Sequence, residues 1–333
     1  MRIIYMMLIC LVSGMVHADG ARVPMRYISK GHATIAIIGA GNVGATIAYA
    51  LMLKNIGAEI IMVDIDQDRC YGEVLDLSDA IPFCYTAKVR QGQLVDAAQA
   101  DIIIITAGAR RKPGQSRLDL IKINKHIVSS IVTGMCPINP HAVIIVVSNP
   151  VDLMTYIAQE HADLPKTQVF GSGTWLDTQR LCGIIAHKIG LSEKSIQAYI
   201  IGEHGDSQCA AWSSARIAGI PIIMFDQLSL EELEAIAEET KGRGAEIIKN
   251  KDATYYGIGA CVANICESIV FNQKRIIPVS SYMPDLNVCF SMPVVVGERG
   301  VEQVLPLPLS DAEHAQVIQS AEIMRRMLAE CEG

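Results

Sequence analysis

Gly39-Ala40-Gly41-Asn42-Val43-Gly44 constrains this chain more than any other segment. It follows the apolar run Thr34–Ile38 directly and leads into residues 43–54, whose apolar positions have helical period. In such a setting the first glycine makes the tight turn and the second lets the backbone approach a pyrophosphate. The third lets helix and strand pack closely. The helix N-terminus then offers N–H groups to an anionic linker. A glycine-rich turn can also bind nothing, so the motif counts through its strand–turn–helix context. Asp64 stands at the end of the second apolar run, Glu59–Val63, and 20 residues beyond Gly44. A carboxylate there accepts from ribose hydroxyls and repels a 2′-phosphate, which favours NAD over NADP. Gly39, Gly41, Asn42, Val43, Gly44 and Asp64 are therefore the expected cofactor-binding residues.

Two further apolar runs, 101–106 and 142–147, are rich in Ile and Val. Continuous runs of this kind fit parallel strands buried on both faces. The expected fold class is α/β: a Rossmann doubly wound parallel sheet over residues 32–172, followed by an α+β catalytic domain over residues 173–333. In the second half, Ser229-Leu230-Glu231-Glu232 and Ser310-Asp311-Ala312-Glu313 read as capping boxes. The last helix aligns Val317, Ala321, Met324 and Leu328 on one face. Strand-like 197–201, 287–290 and 294–296 predict a smaller antiparallel or mixed sheet beside it.

A formal net charge of −7 offers no general attraction to nucleic acid or to an anionic membrane, so neither is an expected partner. An acidic ligand must be held by a local cluster of arginines. The ten cysteines are scattered without a C-x-x-C pair or a close His/Cys grouping, so no metal site is expected. They read as buried free thiols of a reducing, cytoplasmic compartment. Residues 1–24 pull the other way. Arg2, the apolar residues 3–12 and Val16-His17-Ala18 have the layout of a secretory signal. Met25 begins a natural lead-in to the first strand, so the segment reads either as an exported leader or as a start placed too early.

Three segments bring charged groups into apolar surroundings: 109–117, 173–180 and 202–207. Reduction of a keto acid requires a cation for the carboxylate, for which the planar fork of Arg is suited. It requires a proton donor for the carbonyl oxygen, and a carboxylate to fix that donor's tautomer and charge. A second cation must stabilise the developing alkoxide. Asp177 and Arg180 share a helix face at i, i+3, and His204 lies between Glu203 and Gly205 with room beside it for a ligand.

From about residue 33 to 330 the chain resembles the lactate/malate dehydrogenase family. The likeness is carried by residues 38–44, 106–120, 147–152, 171–180, 202–207 and 251–257, in the family's order. It implies an NAD-dependent dehydrogenase of a small 2-hydroxy or 2-keto acid, in which His204 exchanges the proton and Asp177 pairs with its other nitrogen. Arg180 grips the substrate carboxylate, Arg117 closes over the carbonyl, and Asn149 hydrogen-bonds the substrate near the nicotinamide ribose. It also implies a homo-oligomer, tetramer or dimer. Arg111 stands where lactate enzymes usually carry Gln and can pair with a second carboxylate, which points to malate. Thr254 and its Ala253-Thr254-Tyr255-Tyr256-Gly257 context resemble lactate enzymes instead. The expectation is malate dehydrogenase, with L-lactate dehydrogenase as the alternative and a non-catalytic NAD-binding relative as the rival from another class. The positions that bind fructose 1,6-bisphosphate in activated relatives look like Cys182 and Gln197, neither cationic, so no such activation is expected.

Overall fold

The computed structural model describes residues 33–57, 59–84, 88–109 and 117–332, without the side chains of Arg117 and Glu332. Six strands run parallel: β1 (Thr34–Ile38), β2 (Glu59–Val63), β3 (Lys88–Gln91), β4 (Ile102–Ile105), β5 (Val143–Val146) and β6 (Val169–Gly171). Helices α1 (Asn42–Leu53), α2 (Gln67–Asp79), α3 (Leu94–Ala97), α4 (Arg117–Met135) and α5 (Val151–His161) connect them. Beyond β6 come α6 (Trp175–Ile189) and five two-residue strands: β7 (Ile196–Gln197), β8 (Ile200–Ile201), β9 (Cys209–Ala210), β10 (Arg216–Ile217) and β11 (Ile220–Pro221). Helices α7 (Leu230–Lys251) and α8 (Tyr256–Val270) precede β12 (Arg275–Met283), β13 (Val288–Gly297), β14 (Gly300–Val304) and α9 (Asp311–Glu332).

Among the described residues the main sheet has nine strands in the order β14-β13-β12-β6-β5-β4-β1-β2-β3. Ile37 pairs with Met62 on one side and Ile104 on the other, so β1 is an interior strand. Alternate side chains enter different cores. Ile35 and Ile37 pack with Ile47, Leu51, Val262 and Ile265 from α1 and α8. Ala36 and Ile38 pack with Val128, Val132, Leu153 and Ala321 from α4, α5 and α9. Helices on both faces explain why β4 is Ile throughout, since neither side of that strand meets water. Strand order reverses between β1 and β4, which opens a crevice at their carboxyl ends.

The α/β fold class holds, but two parts of the sheet differ from expectation. β3 is an edge strand with one buried residue, Val89, so no apolar run announces it. Residues 287–290 and 294–296 do not form a separate sheet. Residues 288–290 and 294–296 belong to one strand, β13, which joins the main sheet through a long hairpin with β12, and Asn287 lies in the turn between them. Ser291 and Pro293 interrupt its apolar pattern without ending its pairing. Among the described residues, the very short β7–β11 build the small separate sheets. Ser310 and Glu313 cap α9 reciprocally, and Ser229 accepts from the Glu232 amide at the start of α7. Six cysteines, at 70, 182, 209, 261, 266 and 289, are buried and free. Among the described residues no helix is long and apolar enough to cross a membrane, and no group of three His, Cys, Asp or Glu could hold a metal ion. Residues 1–24 lie outside the described residues.

Candidate active site

The glycine turn is built by close approach. Gly39 has φ +111°, and a Cβ there would lie 2.5 Å from Thr106 Oγ1. A Cβ on Gly44 would collide with the Gly39 carbonyl oxygen, so the third glycine is what lets α1 sit against β1. Gly41 is different: nothing lies within 4 Å of its Cβ position, and no side chain caps α1. This pairing of a crowded turn with an open helix start fits a pyrophosphate. Asn42 is exposed and Val43 half-buried at the same helix start. Asp64 accepts the Ala40 amide at 2.6 Å through Oδ2 and the Asp66 amide at 2.9 Å through Oδ1. Each oxygen keeps a second lone pair for a ribose hydroxyl.

Asn124 ties this crevice to the next turn. Its buried side chain accepts the Ala109 amide at 2.7 Å and donates to the Asn149 carbonyl at 2.8 Å. The loops after β4 and β5 are thereby held together, with the side chain of Asn149 exposed between them. Sequence reasoning missed Asn124. The signal available was a polar residue at helical spacing between the apolar Ile121 and Val128.

A second set of bonds brings α6 to the loop that follows β8. Thr174 Oγ1 donates to the Ile200 carbonyl at 2.5 Å, and the Ile200 amide donates to Thr178 Oγ1 at 2.9 Å. Asp177, in the first turn of α6, then meets His204: Oδ2 lies 2.5 Å from the imidazole Nδ1. Its other oxygen, Oδ1, accepts from Arg180 at 3.1 Å. Asp177 is 3 % exposed and Arg180 12 %, so this is no surface ion pair; His204 keeps 29 % exposure, enough to meet a ligand. Burial pushes the Asp177 carboxyl up, but the charge and hydrogen bond of His204, with Arg180, hold it below its usual range. Burial pulls His204 down, yet the charge and hydrogen bond of Asp177 and the charge of Asp152 leave it above its ordinary value. The imidazole is therefore biased toward holding a proton.

Thr254 lies half-buried in the link between α7 and α8. A Cβ on Gly244 of α7 would lie 3.7 Å from Arg180, and one on Gly257 of α8 would lie 2.9 Å from Leu176 of α6. The link is thus held beside the Asp177–Arg180 pair. Arg111 lies outside the described residues, as does the side chain of Arg117, the first residue of α4.

A doubly wound sheet with an open, glycine-lined helix start, beside a carboxylate-held imidazole and a sheltered guanidinium, defines a nicotinamide-dependent dehydrogenase. The substrate bond such equipment serves is a CH–OH group.

Residues 33–171 match the model of the lactate/malate dehydrogenase NAD-binding domain, and residues 174–332 match that of the family's alpha/beta C-terminal domain. L-lactate dehydrogenase A of Rhizopus oryzae is 46 % identical over 294 residues, which cover 88 % of this chain and 92 % of that protein. L-lactate dehydrogenase of Synechococcus sp. (strain JA-3-3Ab) is 44 % identical over 300 residues, 88 % of this chain and 97 % of that one. The crystal structure of a lactate dehydrogenase from a Medee basin deep-sea metagenome library superposes with TM-score 0.88 at 33 % identity, covering 91 % of this chain and 99 % of that one. The chain belongs to the lactate/malate dehydrogenase family, and it is an NAD-dependent dehydrogenase acting on a CH–OH group.

The preference for malate drawn from Arg111 is overturned. The relatives it matches at 38–46 % identity are named L-lactate dehydrogenases, as are the structural neighbours. The physical reason lies in the guanidinium, which loses nothing by staying in water. A cation in the sequence therefore does not oblige the substrate to carry a second carboxylate.

Proposed function

We propose that the chain is an L-lactate dehydrogenase that interconverts pyruvate and L-lactate. The observation that carries this reading is the Asp177–His204 contact beside the open dinucleotide crevice, together with the names of the relatives. NAD(H), when bound, accepts or supplies the hydride. His204 gives its Nε2 proton to the pyruvate carbonyl oxygen and takes it back from the lactate hydroxyl. Asp177 holds Nδ1, which fixes the tautomer and stabilises the imidazolium. Arg180 receives the substrate carboxylate, Arg117 the carbonyl oxygen, Asn149 the substrate beside the cofactor ribose, and Thr254 borders the methyl group. In this reading residues 32–172 hold the cofactor and residues 173–333 the substrate.

The test is steady-state turnover of pyruvate and oxaloacetate at saturating NADH. A higher kcat/KM for pyruvate is expected; faster turnover of oxaloacetate would overturn the lactate reading. The buried free thiols support a reducing, cytoplasmic setting. Exposed Tyr71 and Leu75 on α2, with Phe83 beyond, support assembly with further copies, dimer or tetramer. Light scattering in solution measures that directly.

A further inference from the structure

Asp152 lies in the first turn of α5 and is only 2 % exposed, yet the chemistry described above leaves it without a task. Its Oδ2 accepts the backbone N–H of His204 at 2.8 Å. Its Oδ1 has no hydrogen-bond partner among the described residues. Ser280 on β12, whose hydroxyl is likewise unpartnered, is the neighbour that most favours the charged carboxylate. A carboxylate with one firm hydrogen bond is costly in an apolar interior, and an amide would hold the same N–H at less cost. What the acid adds is a second negative charge acting on the imidazole, supplied from α5 where Asp177 comes from α6.

We infer that Asp152 is a second carboxylate of the site: a positioning residue that holds the His204 backbone and favours the protonated imidazole. The inference rests on His204 being the proton donor. Two carboxylates from two helices then share one imidazole, Asp177 through its ring nitrogen and Asp152 through its main chain and its charge. Burial pushes Asp152 up to about 6, against the Ser280 hydroxyl, the His204 amide and the His204 charge, while Glu203 adds to the rise. Its proton therefore leaves near the range where an imidazole ordinarily titrates. Glu203 and His204 face Asp152 from the loop, and Cys289 faces it from β13 as a thiol held neutral by burial and by this carboxylate. Arg180 opposes imidazole protonation from α6, so Asp152 also offsets part of that effect.

The sign follows. Above the pKa of Asp152 the carboxylate is ionised and supports imidazolium; without its charge His204 loses its proton at lower pH. Asp152→Asn keeps the shape and the acceptor for the His204 amide while removing the charge. In kcat/KM for pyruvate the alkaline limb should move about one pH unit lower, with the plateau held within about threefold. The acid limb for lactate oxidation should move the same way, so that near neutrality reduction slows while oxidation is retained. Loosened packing would lower both plateaus and leave the limbs in place. Profiles of a folded Asp152→Asn enzyme that superpose on the parent's would overturn the inference. If that variant does not fold, Asp152→Ser, which also keeps a hydrogen-bond acceptor and removes the charge, decides by the same readout: an unmoved alkaline limb overturns the inference. A parent that reduces neither pyruvate nor any other keto acid would overturn the proton-donor reading with it; a parent with normal turnover and an unshifted variant would overturn this inference alone.

Discussion

His204 is biased toward its charged form by groups drawn from different helices. Burial works against the proton, and Asp177 from α6 with Asp152 from α5 outweigh it. Pyruvate reduction needs the protonated ring, so it should persist through neutral pH and fall as pH rises through the raised His204 pKa. Lactate oxidation needs the neutral ring and should show the opposite dependence. Asp177→Asn removes the ring's hydrogen-bonded counter-charge. It should lower kcat by roughly 10²–10⁴-fold and move the alkaline limb of reduction to lower pH, as read from pH–rate profiles. At this scale the sequence was uneven in what it disclosed. The i, i+3 spacing of Asp177 and Arg180 was visible, because three residues of helix put both on one face. The roles of Asn124 and Asp152 were not, because a buried polar residue is recognised only by the partner it meets. Arg111 shows the reverse error, a conspicuous charge from which too much was concluded.

Among the elements, the β1–α1 turn separates stability from ligand binding. Gly44→Ala places a methyl against the Gly39 carbonyl, which forces α1 away from β1. It should destabilise the protein by about 1–3 kcal/mol, measured by denaturant unfolding, and weaken NADH binding with it. Gly41→Ala meets open space. It should leave Tm near that of the parent while raising the Kd for NADH, measured by fluorescence titration, because its methyl stands where the pyrophosphate approaches. At the start of α9, Ser310→Ala removes half of a reciprocal cap and should cost about 1 kcal/mol. The capping boxes and the four Ile/Val-rich strands were legible because each follows from contacts within a few residues. β3 was not: an edge strand exposes most of its residues, and KVRQ carries no apolar run.

For the molecule as a whole, the catalytic loop is held from three sides by segments far apart in the chain. Gly202 exchanges both backbone hydrogen bonds with Ser291 of β13, at 2.9 Å each. Ser320 of α9 accepts the Glu203 amide at 2.9 Å, and Asp152 of α5 accepts that of His204. Ser320→Ala would leave a buried amide without its acceptor. It should lower unfolding stability by about 1–3 kcal/mol and reduce kcat more than it raises KM, since the imidazole loses its fixed position. Cys182 is buried with its thiol toward the Ile196 and Ala198 carbonyls, and Gln197 is exposed on β7. Adding fructose 1,6-bisphosphate should leave the KM for pyruvate unchanged, because neither side chain offers a cation to a phosphate.

Local order in the amino acids was enough to specify the βαβ rhythm, the glycine turn and the helix caps. These depend on backbone geometry and on residue spacings of a few positions. Folding alone could show that β12–β14 complete the first half's sheet, that Asp177 and His204 touch across 27 residues, and that α5, β13 and α9 fix the loop between them. Such contacts join segments whose separation along the chain carries no trace of their distance in space, and a buried charge takes its meaning from whatever stands next to it.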